Sequence, residues 1–242
     1  HRVICPIRAG SEAEARTRFE QIFMGLRELL PEFDESLAQR FLPVPGDVRE
    51  KRLGLPATLV RDLEGPPIGE IWHLAASLDL TETRSQDVYN TNLLGTLNVL
   101  DFIREQKIPR LSYFSTFGAS GDVHEGVVRE IPGIRPPAFR NTYERTKWEA
   151  ERHVWQAQIH GEVLATIYRP SIVVGDSRLG RYEQFNVFNH PFDVASRVRK
   201  KLCAKQGIDP VHGVLKYDLR VPGDANATLN IVPLDFAIDT VM

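Results

Sequence analysis

Apolar residues recur along this chain in two rhythms. Compact runs at 2–8, 41–47, 68–76, 110–117 and 163–175 predict buried strands, because a strand covered on both faces is apolar almost throughout instead of alternating. Between them the apolar positions space out by three and four, the period of an amphipathic helix. Phe19, Ile22, Phe23, Leu26, Leu29 and Leu30 follow it, as do Leu93, Leu97, Leu100 and Ile103. Punctuation agrees: Ser11 with Glu14 makes a capping box at the first helix start, and Pro31 ends that pattern. Further helices are expected over 53–63, 86–106, from Tyr143 onward, and 195–206, with a last short apolar run at 229–235. Pro43 and Pro45 place the 41–47 strand near a sheet edge, since each removes a ladder donor. Strands alternating with helices of this length predict an α/β fold, a doubly wound parallel sheet with helices on both faces. After Asp176 the pattern loosens, so 1–175 is expected to form the sheet domain and 176–242 a smaller lobe.

Composition narrows the function classes. With 242 residues and 42% hydrophobic content the chain can bury a full core, which excludes the disordered class. A net charge of -2 with mixed signs gives no electrostatic footprint for nucleic acid. No apolar run approaches the roughly 20 residues of a membrane helix, and a cytoplasmic protein is the default expectation. Cys5 and Cys203 form neither a disulfide framework nor a zinc spacing and are expected as free thiols. The seven histidines include no His-x-x-x-His pair, so no metal site is expected.

The chemistry concentrates around Tyr143 and Lys147. Four residues apart on a helix, they share one face, and a cation near a phenol favours the phenolate and brings proton transfer into range. Upstream, the strand at 110–114 runs into Ser115 and Thr116, placing a hydroxyl at a strand's C-terminal end, where ligands bind in open α/β sheets. Glu144, Glu149 and Glu151 alternate with Arg145, Lys147 and Arg152, which reads as a solvated, charge-laced helix face.

These residues resemble the extended short-chain dehydrogenase/reductase family, whose working group is Ser/Thr, Tyr and Lys in this order. Within it the chain is most similar to the thioester reductase and fatty acyl-CoA reductase branch, through 41–47 before Leu53-Gly54-Leu55, 143–151 and 169–180. The resemblance implies a Rossmann-type fold and the catalytic set Thr116, Tyr143 and Lys147. Thr116 is preferred over Ser115 because Gly121 stands five residues after it, the family's spacing. It also implies cofactor contacts from Asp47, from His73, Ala75 and Ala76 along the ribose and nicotinamide wall, from Asn92, and from Pro170 and Ser171 after the sixth strand. His73 itself is assigned no chemistry. If 2–8 is the family's second strand, Arg8 stands where an acid would bind the ribose of NAD, and an arginine there accommodates the extra phosphate of NADP.

The implied function is an NADPH-dependent reductase of an acyl thioester, held as a small molecule or on a carrier protein, with Tyr143 as proton donor. Two alternatives remain open at this point: an NAD-dependent sugar-nucleotide epimerase or dehydratase, and a non-catalytic NADP-binding sensor. One expected motif is missing, the Gly-rich turn that receives the pyrophosphate at a helix N-terminus. A strand, that turn and a helix, roughly 30 residues or more, are therefore expected upstream of His1, with a continuation beyond Met242.

Overall fold

The computed structural model describes residues 2–29, 34–62, 68–123, 126–131, 136–178, 180, 190–209 and 228–242. Pro31 and Leu63, expected at helix ends, lie outside the described residues. Seven strands are described: β1 (Val3–Ile7), β2 (Phe41–Pro45), β3 (Ile71–His73), β4 (Arg110–Phe114), β5 (Leu164–Tyr168), β6 (Ile172–Val174) and β7 (Ile231–Pro233). The α-helices are α1 (Glu12–Leu29), α2 (Ala57–Asp62), α3 (Ser85–Tyr89), α4 (Gly95–Gln106), α5 (Thr142–Ile159), α6 (His190–Gln206) and α7 (Leu234–Val241). The chain divides into two compact units, His1–Pro170 and Ser171–Met242.

Every strand pairing is parallel, as the alternation of strand and helix requires. In the first unit β1 pairs with β2, and β3, β4 and β5 form a three-stranded sheet in that order. The outer edges of β1 and β3 have no strand partner among the described residues. Val3 on β1 and Trp72 on β3 keep 41% and 43% of their surface exposed, unlike Leu111 and Tyr113 on the central strand β4, at 1% each. In the second unit β6 pairs with β7.

The core joins β4, α4 and α5: Leu100, Ile103, Leu111, Tyr113, Ala150 and Val154 are all buried there. The stripe expected on the 86–106 helix is wider than its period suggests, since Val99 and Phe102 are buried as well while Leu97 is half-buried. That helix is also not continuous. A π-helical turn, Asn90–Leu94, separates α3 from α4, and such turns re-aim side chains by inserting a residue into the ladder. The 163–175 run divides into β5 and β6 at Arg169-Pro170, because proline donates no N–H and restricts the residue before it. Likewise 229–235 becomes β7 followed directly by α7. The capping box closes one residue early: Glu14 N–H donates to Ser11 Oγ at 3.2 Å, while its carboxylate accepts from Gly10 N–H at 2.8 Å.

Candidate active site

The end of β4 and the start of α5 build the site. Asn141 caps α5, its Oδ1 accepting from Glu144 N–H at 2.9 Å. Glu82 clasps the same helix end, taking the Thr142 N–H at 2.9 Å and its hydroxyl at 2.8 Å. So anchored, α5 presents Tyr143 half-buried and Lys147 one turn on, 3% exposed. Thr116 leaves β4 in extended backbone and caps the short 3₁₀ turn Phe117–Ser120, its Oγ1 accepting from Gly118 N–H at 3.2 Å. The turn ends at Gly121, with φ of 72°, where a Cβ would stand 2.5 Å from the Ala138 carbonyl. Only glycine fits, which gives the Thr116 to Gly121 spacing a steric reason. The Thr116 side chain is close enough to the Tyr143 phenol to favour its ionised form.

The electrostatics correct two expectations. Burial pushes the Tyr143 phenol up; the Thr116 hydrogen bond pulls the other way without reversing it. A phenol lowered by Lys147 is therefore not what the structure shows. The Lys147 ammonium donates to the Phe114 carbonyl at 2.5 Å and lies 4.7 Å from the centre of the Tyr113 ring, and burial drops it from 10.5 to about 8, opposed by Glu151. The solvated charge-laced face is corrected as well. Glu144, Lys147 and Glu151 are 7%, 3% and 1% exposed, while Arg145 alone of the set is exposed. Spacing put the charges on one helix, but packing against β4 and β5 decided which of them met water.

After β3 the chain runs irregularly through Ala75, exposed, and Ala76, half-buried. Asn92, carried on the π-helical turn, holds this segment: its Oδ1 accepts from Ser77 N–H at 2.7 Å and its Nδ2 donates to Ser77 O at 3.1 Å. Its amide also lies 3.4 Å from Thr146 Oγ1. His73 is 3% exposed and lies 3.0 Å from the Thr96 hydroxyl, which gives its proton to Asn92 O at 2.7 Å. That assigns the imidazole proton to Nε2, and burial lowers the ring from 6.5 to about 3. Pro170, half-buried, accepts the Phe117 N–H through its carbonyl at 3.0 Å, and Ser171 begins the second unit.

Arg8 and Asp47 come together on a separate cleft of about 550 Å³, lined also by Gly10, Arg18, Gly46 and Gly54. Arg8 Nε stands 3.6 Å from Asp47 Oδ2. Arg49 holds that aspartate more closely, with Nη2 at 2.6 Å and its backbone N–H at 2.9 Å, and keeps the carboxyl below its usual range. The cleft lining carries two guanidinium groups, Arg8 and Arg18, and three carboxylates, Glu14, Asp47 and Glu50, with the small Ala9 and Gly10 leaving room at the end of β1. Sequence reasoning missed Arg49, Arg18, Glu82 and Glu151. Only the Asp-x-Arg pattern at 47–49 carried a local signal, an aspartate bonding its backbone two residues on. Among the described residues no cluster of three or more His, Cys, Asp or Glu side chains could hold a metal, and no helix is long and apolar enough to cross a membrane.

A parallel α/β sheet with Thr, Tyr and Lys converging at a strand end defines a Rossmann-type protein of the extended short-chain dehydrogenase/reductase class. The chain belongs to the NAD-binding male sterility protein family, whose model matches residues 1–241. It is 30% identical over 131 residues to sterol demethylase protein B of Methylococcus capsulatus, covering 54% of this chain and 37% of that protein. To the carboxylic acid reductase of Mycobacterium marinum it is 26% identical over 185 residues, 73% of this chain and 16% of the relative. Its fold matches the terminal R domain of the myxalamid PKS-NRPS biosynthetic pathway with a TM-score of 0.75 at 24% identity, over 99% of this chain and 55% of that one.

Proposed function

We propose that this protein is an NADPH-dependent reductase that converts an acyl thioester, on CoA or a carrier protein, to an aldehyde or alcohol in the cytoplasm. The observation that carries the reading is the meeting of Thr116 and Tyr143 hydroxyls at the end of β4, with Lys147 one turn further along α5. Bound NADPH would supply hydride. Tyr143 is suited to giving a proton to the substrate oxygen, because burial keeps its phenol protonated at neutral pH. Thr116 is placed to hydrogen-bond the oxygen as negative charge develops there. Lys147, still cationic below about pH 8, adds the positive charge that this step requires and is the residue expected on the nicotinamide ribose. Cofactor contacts are assigned to Arg8, Asp47, His73, Ala75, Ala76, Asn92, Pro170 and Ser171, with His73 acting as packing and backbone wall only.

Arg8 favours NADP over NAD, since the cleft offers a guanidinium where an acid would bind the ribose hydroxyls of NAD. The acyl substrate class rests on the similarity to the carboxylic acid reductase and to the R domain fold. Free Cys5 and Cys203 accord with a reducing compartment. Cofactor binding by 1–175 and substrate binding by 176–242 is part of the same reading. The test follows NADPH absorbance of the full-length protein with acyl-CoA thioesters, aldehydes and sugar nucleotides. Oxidation with thioesters is expected. Turnover of a sugar nucleotide without net NADPH loss would replace the reading with an epimerase, and binding without any turnover with a sensor.

A further inference from the structure

Glu151 follows Lys147 by four residues, so its carboxylate lies one turn further along the same face of α5. It is 1% exposed. Its Oε2 accepts the Ser115 hydroxyl at 2.7 Å, and Arg169 Nε reaches both carboxylate oxygens at 3.1 Å, with Arg169 Nη2 also bonded to Oε1. Arg169 is itself fixed by donating to the Arg129 carbonyl at 2.8 Å. One buried ion pair thus joins α5 to the ends of β4 and β5 beside Thr116. A buried charge pair is costly to maintain where two apolar residues would pack, so its presence next to a buried ammonium asks for a role.

The groups facing Lys147 single the pair out. On α5 these are Tyr143 and Glu151; on β4, the Tyr113 ring and the Phe114 carbonyl; on β3, the neutral His73. Asp87 on α3, and Asp101, Arg104 and Glu105 on α4, are exposed. Glu151 is therefore the carboxylate placed to act on Lys147, and Arg169 is the cation placed to limit it.

We propose that Glu151 and Arg169 are positioning residues that together set the charge state of Lys147, the carboxylate holding the ammonium protonated and the guanidinium restraining that effect. The inference rests on the reading of Lys147 as a working cation. It carries a signature that a merely structural knot would not: the two partners act on Lys147 with opposite sign.

The test uses full-length protein with lysine labelled with ¹³C at Cε, Lys147 being assigned by the signal lost in Lys147→Arg. Glu151→Gln keeps the size and the Ser115 hydrogen bond but removes the charge, and should lower the Lys147 midpoint by about one pH unit or more. Arg169→Gln leaves the carboxylate unopposed and should raise it by about one unit. The double variant should return toward wild type. The alkaline limb of kcat/KM should move with the midpoint in each case. Unchanged midpoints, or single variants that shift it in the same direction, overturn the inference. If one single variant does not fold, the other single and the double still decide, since they must differ in the stated direction. A wild-type protein that oxidises NADPH with no substrate would sink the reductase reading, while the titration would still judge the ion pair.

Discussion

At the end of β4, Lys147 and Glu151 are 3% and 1% exposed and both are tied to protein partners. In the cleft beside α1, Arg8 keeps 73% of its side chain in water and meets Asp47 at 3.6 Å. Both regions hold cations, and in the first burial takes Lys147 down to about 8. A proton-transfer step gains from charges held in low dielectric, where small displacements of protonation state matter. A binding cleft gains from a cation that stays solvated and reaches a phosphate when one arrives. Substitutions should therefore act on rate at the first region and on affinity at the second.

The largest effect is expected from Tyr143→Phe, which keeps the ring but removes the transferable proton and should cut turnover by about 10²- to 10⁴-fold while NADPH affinity stays near wild type. Steady-state rates beside a fluorescence titration check it, and a rate close to wild type would take Tyr143 out of the mechanism. Lys147→Met should lower turnover and cofactor affinity together. Its thermal midpoint at pH 7 should hold, because the charged form that burial penalises is gone. A loss of turnover alone would end the proposed ribose contact.

Arg8→Ala belongs to the other region and should weaken NADPH about ten-fold while sparing NADH, the modest size following from solvent screening of an exposed cation. Raising the salt should shrink the difference between the two proteins, and equal losses for both cofactors would reduce Arg8 to a structural residue. A separate effect is on acid stability. His73 has a folded pKa depressed from 6.5 to about 3, so the unfolded chain binds the extra proton between those values and stability falls as pH is lowered through that window. His73→Gln should flatten this part of the denaturation profile. If both proteins lose stability in parallel from pH 6.5 downward, His73 is not a source of the acid sensitivity.

Much of the framework was legible because backbone periodicity is local. The runs at 2–8, 41–47 and 110–114 became β1, β2 and β4, and the helix expected from Tyr143 became α5. The similarity to extended short-chain dehydrogenases pointed to Thr116, Tyr143 and Lys147 together, and the structure brings Thr116 and Tyr143 within reach of each other. The break at Arg169-Pro170 was also written in the chain, as a proline inside an apolar run, although the run was read as continuous.

What the sequence by itself determined, then, is which residues share a strand, a helix and a helical face, because those follow from repeats of two and 3.6 residues along one segment. Tertiary structure alone decided which face was covered. Glu151 and Glu149 look alike in the sequence, yet one is sealed under β4 and β5 against Arg169, 18 residues away, and the other stays half in water. The Glu82 clasp on Thr142 spans 60 residues and had no local trace. The direction of the Tyr143 shift had the same origin: spacing supplied a cation one turn away, but the depth of burial, a sum over every element packed around the phenol, set the direction.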